Sequence, residues 1–213
     1  MLWIGSMLIV LVTFFIFDQE NYVRLISSLI GMTSLIFCAK GHPFGLILMI
    51  GFCIMYGIIS YSFSYYGEMI TYLGMTLPMG IVSLVNWIRN PYEGNKSEVK
   101  VAKLAKKDVL QMLALTLVVT VVFYYILGAL NTANLIPSTF SVTTSFAAVF
   151  LTAKRSRYFT LAYGMNDLVL IILWTLAAMS NISYMSVCIC FVLFFINDMY
   201  GFINWTKMEK NQA

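Results

Sequence analysis

Asn166 and Asp167 stand near the middle of Arg157–Trp174, a stretch reading RYFTLAYGMNDLVLIILW that is otherwise apolar enough to cross a bilayer. A carboxylate at the centre of a spanning helix costs roughly 2.5–3.5 kcal/mol on insertion scales, so it is retained where it faces protein, water or a ligand. At about 100° per residue, Phe159, Tyr163, Asp167, Leu170 and Trp174 fall on one side, placing aromatic rings on both sides of an acid along one stripe. Such a stripe suits a flat, polar, cationic molecule. The plainer alternatives are an interhelical hydrogen bond from Asn166 or Asp167, worth about 0.6 kcal/mol inside a membrane, and a lipid-facing Trp174 at the outer interface.

Two further apolar stretches carry polar faces. In FINDMYGFINW, preceded by Phe194, the residues Phe194, Asn197, Asp198, Gly201, Asn204 and Trp205 share a side, and Gly201 allows close approach of a ligand or a helix. Upstream, Glu68, Tyr72, Thr76, Met79, Ser83 and Trp87 do the same. Trp87 and Trp205, at helix ends, read as interface anchors rather than ligand contacts. Glu68 reads equally as a solvated outer residue, Asp198 as a partner for a nearby Lys or Arg, and Asn86 and Asn204 as caps or cross-helix donors. Pro78 is either a packing kink or a hinge.

Other chemistries lack their residues. Cys38, Cys53, Cys188 and Cys190 all lie in apolar runs, which gives no disulfide framework, and His42 has no companions for a metal site or a triad. No Gly-rich phosphate loop with Lys and Ser/Thr is present, so nucleotide hydrolysis is not expected. The sequence implies no cofactor and no catalytic residue.

The elements that must hold these side chains are membrane helices. The chain has 213 residues, 61% hydrophobic and 10% charged, with a mean hydropathy of +0.86; soluble domains carry roughly 25% charged residues. Its runs are continuously apolar rather than alternating, which predicts an all-α bundle and not a barrel. Eight spans are expected: Met1–Phe17, Tyr22–Cys38, Pro43–Phe63, Met69–Trp87, Leu110–Leu130, Pro137–Thr152, Tyr158–Met179 and Ile182–Trp205. The first has neither the basic start nor the cleavage site of a signal peptide. With this count, 12 of the 13 Lys and Arg residues fall on one side and only Arg24 on the other. The positive-inside rule then places both termini in the cytoplasm of a bacterial-type plasma membrane. The basic loop Ile88–Asp108 is expected to be solvated or to lie against anionic headgroups. Without aromatic interleaving or a nucleic-acid fold, its charge does not point to nucleic acid.

A weak internal repeat organises the spans. Asn86-Trp87 recurs as Asn204-Trp205 at an offset of 118, Ala39-Lys40 as Ala153-Lys154 at 114, Phe44 as Phe159 at 115 and Asn21 as Asn134 at 113. This predicts an additional N-terminal helix (1–20), a three-helix bundle (21–88), a basic loop (89–109), a linking helix (110–130), a second bundle (131–206) and a tail (207–213). One linking span gives both bundles the same orientation, the parallel-repeat plan with a substrate site between them near the midplane.

Tyr200-Gly201 with Trp205, Leu77-Pro78-Met79 ahead of Trp87, Tyr66-Gly67-Glu68 and the Arg157–Trp174 helix together resemble the PnuC family of vitamin transporters, from about Asn21 to Lys207. The resemblance implies a full-length SWEET-like fold of three plus one plus three helices with an extra N-terminal span. It further implies facilitated diffusion of nicotinamide riboside, thiamine or riboflavin, retained in the cell by a cytoplasmic kinase. Its ligand positions map onto Tyr163, Asn166, Asp167 and Trp174, and onto Asn197, Asp198, Tyr200 and Gly201; Tyr72 and Met79 join them from the fourth span. This chain departs from the pattern in having Thr160 and Tyr163 where nicotinamide riboside members commonly carry two tryptophans, and Ser83 where a glycine is usual.

A passive nicotinamide riboside carrier is the preferred expectation, since that vitamin is flat and cationic and the midplane offers acids and no base. Thiamine is the nearest rival. A substrate-binding subunit of an ATP-driven system and a lipid-headgroup enzyme are the readings from other classes. A homo-oligomer is left open.

Overall fold

The computed structural model describes residues 2–19, 21–62 and 65–212. Met1 and Phe63, which end two of the expected spans, lie outside them. Among these residues the chain forms α1 (Leu2–Phe17), α2 (Tyr22–Ala39), α3 (Phe44–Ser62), α4 (Tyr66–Arg89), β1 (Pro91–Tyr92), β2 (Asn95–Val99), α5 (Lys106–Ala129), α6 (Leu135–Ala153), α7 (Phe159–Ser180) and α8 (Met185–Asn211), the last preceded by a short 3₁₀ turn at Ile182–Tyr184. Seven of the helices, counting that turn with α8, are long and apolar enough to cross a membrane, and α1 is a shorter apolar helix of 16 residues. The protein is an all-helical integral membrane protein.

Six helices pack as a closed ring in the order α2, α3, α4, α6, α7, α8 and back to α2. Helix α1 lies against α2 and α8, and α5 lies mainly against α6. Only Leu127 of α5 is buried, so this helix presents almost its whole apolar surface outward, as a lipid-facing linker does.

The two halves of the ring repeat their turns. Gly41 at φ +68° leads from α2 to α3, and Arg155 at φ +55° leads from α6 to α7. In the first turn Gly41 N–H donates to Cys38 C=O and His42 N–H to Phe37 C=O; in the second, Arg155 donates to Thr152 and Ser156 to Leu151, each donor and acceptor shifted by 114. A non-glycine residue at positive φ is uncommon, and the second turn keeps Arg155 there through the same bonds.

Helix α4 is not uniform. Its first turn, Tyr66–Ile70, is followed by a π-helical stretch, Thr71–Thr76, before α-geometry resumes with Pro78 in the first turn of the new segment. A proline removes one ladder bond, and the π stretch directly ahead of it absorbs the irregularity that the sequence left as a kink or a hinge.

The basic loop keeps its lysines exposed, as expected of a solvated segment. It is nevertheless ordered, for 91–99 forms an antiparallel hairpin with Glu93 and Gly94 at positive φ in its turn. The chain then crosses the end of the ring as a strap. Val99 N–H donates to Gly41 C=O and Ala102 N–H to Arg155 C=O, both at 3.0 Å, and Val101 N–H donates to Gln212 Oε1 at 2.7 Å. Composition signalled charge here, but two of these partners are backbone carbonyls of the turns and the third is the uncharged Gln212 side chain.

Close packing of α2 on α3 depends on Gly45. A Cβ at this position would stand 2.6 Å from Cys38 N and Sγ and 2.9 Å from Ser34 O. Gly45→Ala should destabilise by about 1–3 kcal/mol, lowering the thermal midpoint in detergent, whereas Gly5→Ala, with nothing within 4 Å of its new Cβ, should leave it unchanged.

Candidate substrate-binding site

The axis of the ring holds a small chamber lined by side chains from both halves, among them Ser34, Met49, Phe52, Tyr72, Tyr163, Asn166, Asp167 and Asp198. Asp167 and Asp198 are each about 4% exposed, and both line the chamber. Neither takes part in a salt bridge among the described residues, so Asp198 faces its fellow acid and not the Lys or Arg considered from sequence. Two facing carboxyls without a basic neighbour make the chamber attractive to cations and repellent to phosphate.

Asn166 is fixed beside them. Its Oδ1 accepts from Ser141 (3.3 Å), Thr144 (2.9 Å) and Ser145 (3.0 Å), three hydroxyls from one face of α6. This is the interhelical bond foreseen as the plainer reading, and it leaves the amide N–H groups as what Asn166 can offer the chamber. Tyr163 reaches across to Met49, its hydroxyl 3.7 Å from the sulfur.

The chamber is shut at both ends by aromatic stoppers. At the end carrying most of the Lys and Arg residues, Trp87 and Trp205 are fully buried with ring centroids 5.2 Å apart, and Phe159 packs on Trp205 at 4.8 Å. The expected interface anchors are therefore core residues, because each indole N–H has a buried acceptor. Trp87 Nε1 donates to Thr152 C=O at 3.0 Å and Trp205 Nε1 to Cys38 C=O at 2.8 Å. The preceding asparagines follow suit, Asn86 donating to Ala153 C=O and Asn204 to Ala39 C=O. Each half thus clasps the other's first helix, whose last carbonyls have no helical partner of their own. At the opposite end, Trp174 Nε1 donates to Tyr56 Oη at 2.7 Å, Tyr65 lies 5.3 Å from Trp174, and Tyr56 lies 4.5 Å from Tyr72. Trp174 is fully buried and not lipid-facing.

Of the candidate residues, the chamber brings together Tyr72, Tyr163, Asn166, Asp167 and Asp198, with Trp174 in the stopper above them. Four others lie elsewhere. Asn197 turns towards α1 and α2, its Nδ2 3.2 Å from Ser6 Oγ and 3.3 Å from Met32 Sδ. Tyr200 lines an outer groove with Trp3, Phe37 and Lys40. Gly201 admits Thr160, whose Cγ2 would be 3.0 Å from an added Cβ, so its close approach is between helices. Met79 packs, half-buried, against the apolar cluster around Trp87. Glu68 is fully buried, not solvated. Among the lining residues that sequence reasoning missed, Phe52 had a signal: it precedes Asp167 by 115 residues, the offset linking Phe44 to Phe159. Ser34 and Met49 carried none.

The space among these side chains is about 30 Å³, against roughly 300–1,000 Å³ for pockets that enclose drug-sized ligands. A vitamin-sized molecule is therefore admitted only when the halves of the ring part.

A chamber between two equivalent half-rings, stoppered at each end, is the arrangement of a membrane transporter of the parallel-repeat kind. Residues 21–207 match the nicotinamide mononucleotide transporter family, and the chain belongs to that family. It is 26% identical to the nicotinamide riboside transporter PnuC of Neisseria mucosa, over 99% of this chain and 82% of that protein. It is 24% identical to that of Haemophilus influenzae, over 98% of this chain and 89% of that protein. A crystal structure of the vitamin B3 transporter PnuC shares the fold, with a TM-score of 0.85 at 24% identity, covering 99% of this chain and 91% of that one.

If the clasp seals its end, Cys38, which is 3% exposed beneath Trp205, is shielded by it. In a protein retaining Cys38 alone among its cysteines, Asn204→Ala with Trp205→Ala should speed labelling by a water-soluble thiol reagent about tenfold, the effect of removing roughly 1.4 kcal/mol of closure.

Proposed function

We propose that this protein carries nicotinamide riboside into the cell by facilitated diffusion, alternately parting its two aromatic stoppers. The observation that carries the reading is the pair Asp167 and Asp198 in a chamber walled by Tyr72, Tyr163 and Phe52 without a basic side chain. A pyridinium ring gains about 0.5–2 kcal/mol from each aromatic face it meets, the carboxyls supply the opposite charge, and the Asn166 amide offers donors to ribose oxygens. A phosphate would meet the same acids unfavourably, which favours the nucleoside over the nucleotide of the family's description. The two relatives, both nicotinamide riboside transporters, support this assignment.

The distribution of Lys and Arg supports placing the clasped end, the strap and both termini in the cytoplasm of a bacterial plasma membrane. Downhill entry is completed by a cytoplasmic kinase that removes the free vitamin. Thiamine, also a planar cation, is the second ligand that the acid pair favours.

Liposomes containing only this protein should take up nicotinamide riboside saturably, without ATP or an ion gradient. Asp167→Asn should weaken binding about tenfold or more, corresponding to at least 1.4 kcal/mol, when read by calorimetry on folded protein. Binding without flux would reassign the protein to an ATP-driven system, and tighter binding of thiamine would change the vitamin.

A further inference from the structure

Glu68 stands in the first turn of α4, fully buried, and neither of its carboxyl oxygens accepts a hydrogen bond that satisfies geometry. The Ser141 hydroxyl lies beside it but is turned towards Asn166. No basic side chain forms a salt bridge with it among the described residues. Its neighbours are instead phenol rings: Tyr65 stands at the start of the same helix, Tyr72 follows one turn on, and Tyr72 packs against Tyr56 with ring centroids 4.5 Å apart. An isolated buried carboxylate is costly in an apolar interior, and a glutamine or a leucine would serve packing alone. Carboxylate and aromatic faces together form the recognition chemistry for a planar organic cation.

The location gives that chemistry a use. Tyr72, one helical turn beyond Glu68, lines the chamber and packs against Tyr56, whose hydroxyl is held by Trp174 of the opposite half. On the other side of this stopper, Tyr65 lines a cleft with Asn134 and Tyr184 that opens at the end away from the basic loops. Glu68 therefore sits at the seam between the halves, between an outward-opening cleft and the acid pair.

Resting on the transport reading above, we propose that Glu68 with Tyr56, Tyr65 and Tyr72 forms a second binding station for a planar organic cation. The ligand is held there as the outer stopper parts and passes one turn along α4, by way of Tyr72, to Asp167 and Asp198. Ser141, which lies between Glu68 and Asn166, can turn its hydroxyl to either station.

The test compares uptake of nicotinamide riboside and of its reduced, uncharged dihydro form by liposomes carrying wild-type, Glu68→Gln or Glu68→Asp protein. With Glu68→Gln the initial rate for the cation should fall about tenfold, a loss equivalent to one full decade of binding. The rate for the uncharged form should stay within about twofold, and Glu68→Asp should recover part of the cation's rate. Glu68→Gln should also unfold at or above the wild-type midpoint, since replacing an uncompensated buried charge is neutral or stabilising. Equal slowing of both compounds, or an unchanged rate for the cation, would overturn the station. So would a less stable Glu68→Gln protein, which would show the carboxylate to be a structural anchor. Wild-type protein that moves neither compound would sink the transport reading and the station with it, a failure visible before any variant is compared.

Discussion

Two indole N–H groups and two asparagine amides hold the ring together at its basic end. The last carbonyls of α2 and α6 each already accept one bond from their own turn, Cys38 from Gly41 and Thr152 from Arg155. The second lone pair of each is taken by a tryptophan from the other half. A buried carbonyl or indole left without a partner costs roughly 1–3 kcal/mol, so the clasp is either made on both sides or replaced by water at an opened mouth. Packed interfaces of this kind have discrete arrangements and not a continuum, and a carrier needs that property: a mouth that is shut or open, with little between.

The chamber is the counterpart of that closure. Asp167 and Asp198 stand together without a base, and Asn166 is held by three hydroxyls of α6 so that its amide has little freedom to turn away. A polar site held in advance by its scaffold spends less of the binding energy on ordering. In the transport proposed above, the limited space among these side chains would make ligand admission and ring opening one event, which is the coupling that alternating access requires.

Much of this was legible in the sequence, and the part that was not has identifiable causes. Helices and their ends follow from apolar run length and turn residues, which are local properties. The recurrence of Asn-Trp and of Ala-Lys at nearly constant offsets pointed to two halves, and those residues make equivalent bonds. What those bonds do was hidden, because a tryptophan at a helix end is usually a membrane anchor and only the opposing carbonyl distinguishes the two cases. Glu68 was hidden for the same reason: its burial depends on α6, distant in sequence. Helical periodicity put Asn197 and Asp198 on one broad face, yet a step of about 100° is enough to send Asn197 to α1 and Asp198 to the axis. The hairpin at 91–99 lay beyond a reading by composition, since its anchors are the Gly41 carbonyl and the Gln212 side chain, both remote in sequence.

The strap that follows the hairpin binds the carbonyls of Gly41 and Arg155, which are equivalent positions in the two halves, yet the strap itself occurs only once in the chain. The two mouths are therefore unlike in energy. Opening the strapped one disturbs amide bonds that net about 0.5–1.5 kcal/mol each, whereas the other parts mostly aromatic contacts. On the passive transport proposed above, such an imbalance would leave the final concentration ratio of the solute unaltered, because detailed balance fixes it. It would set dwell times instead, a vacant carrier of the proposed kind spending longer open on the unstrapped side than on the strapped one.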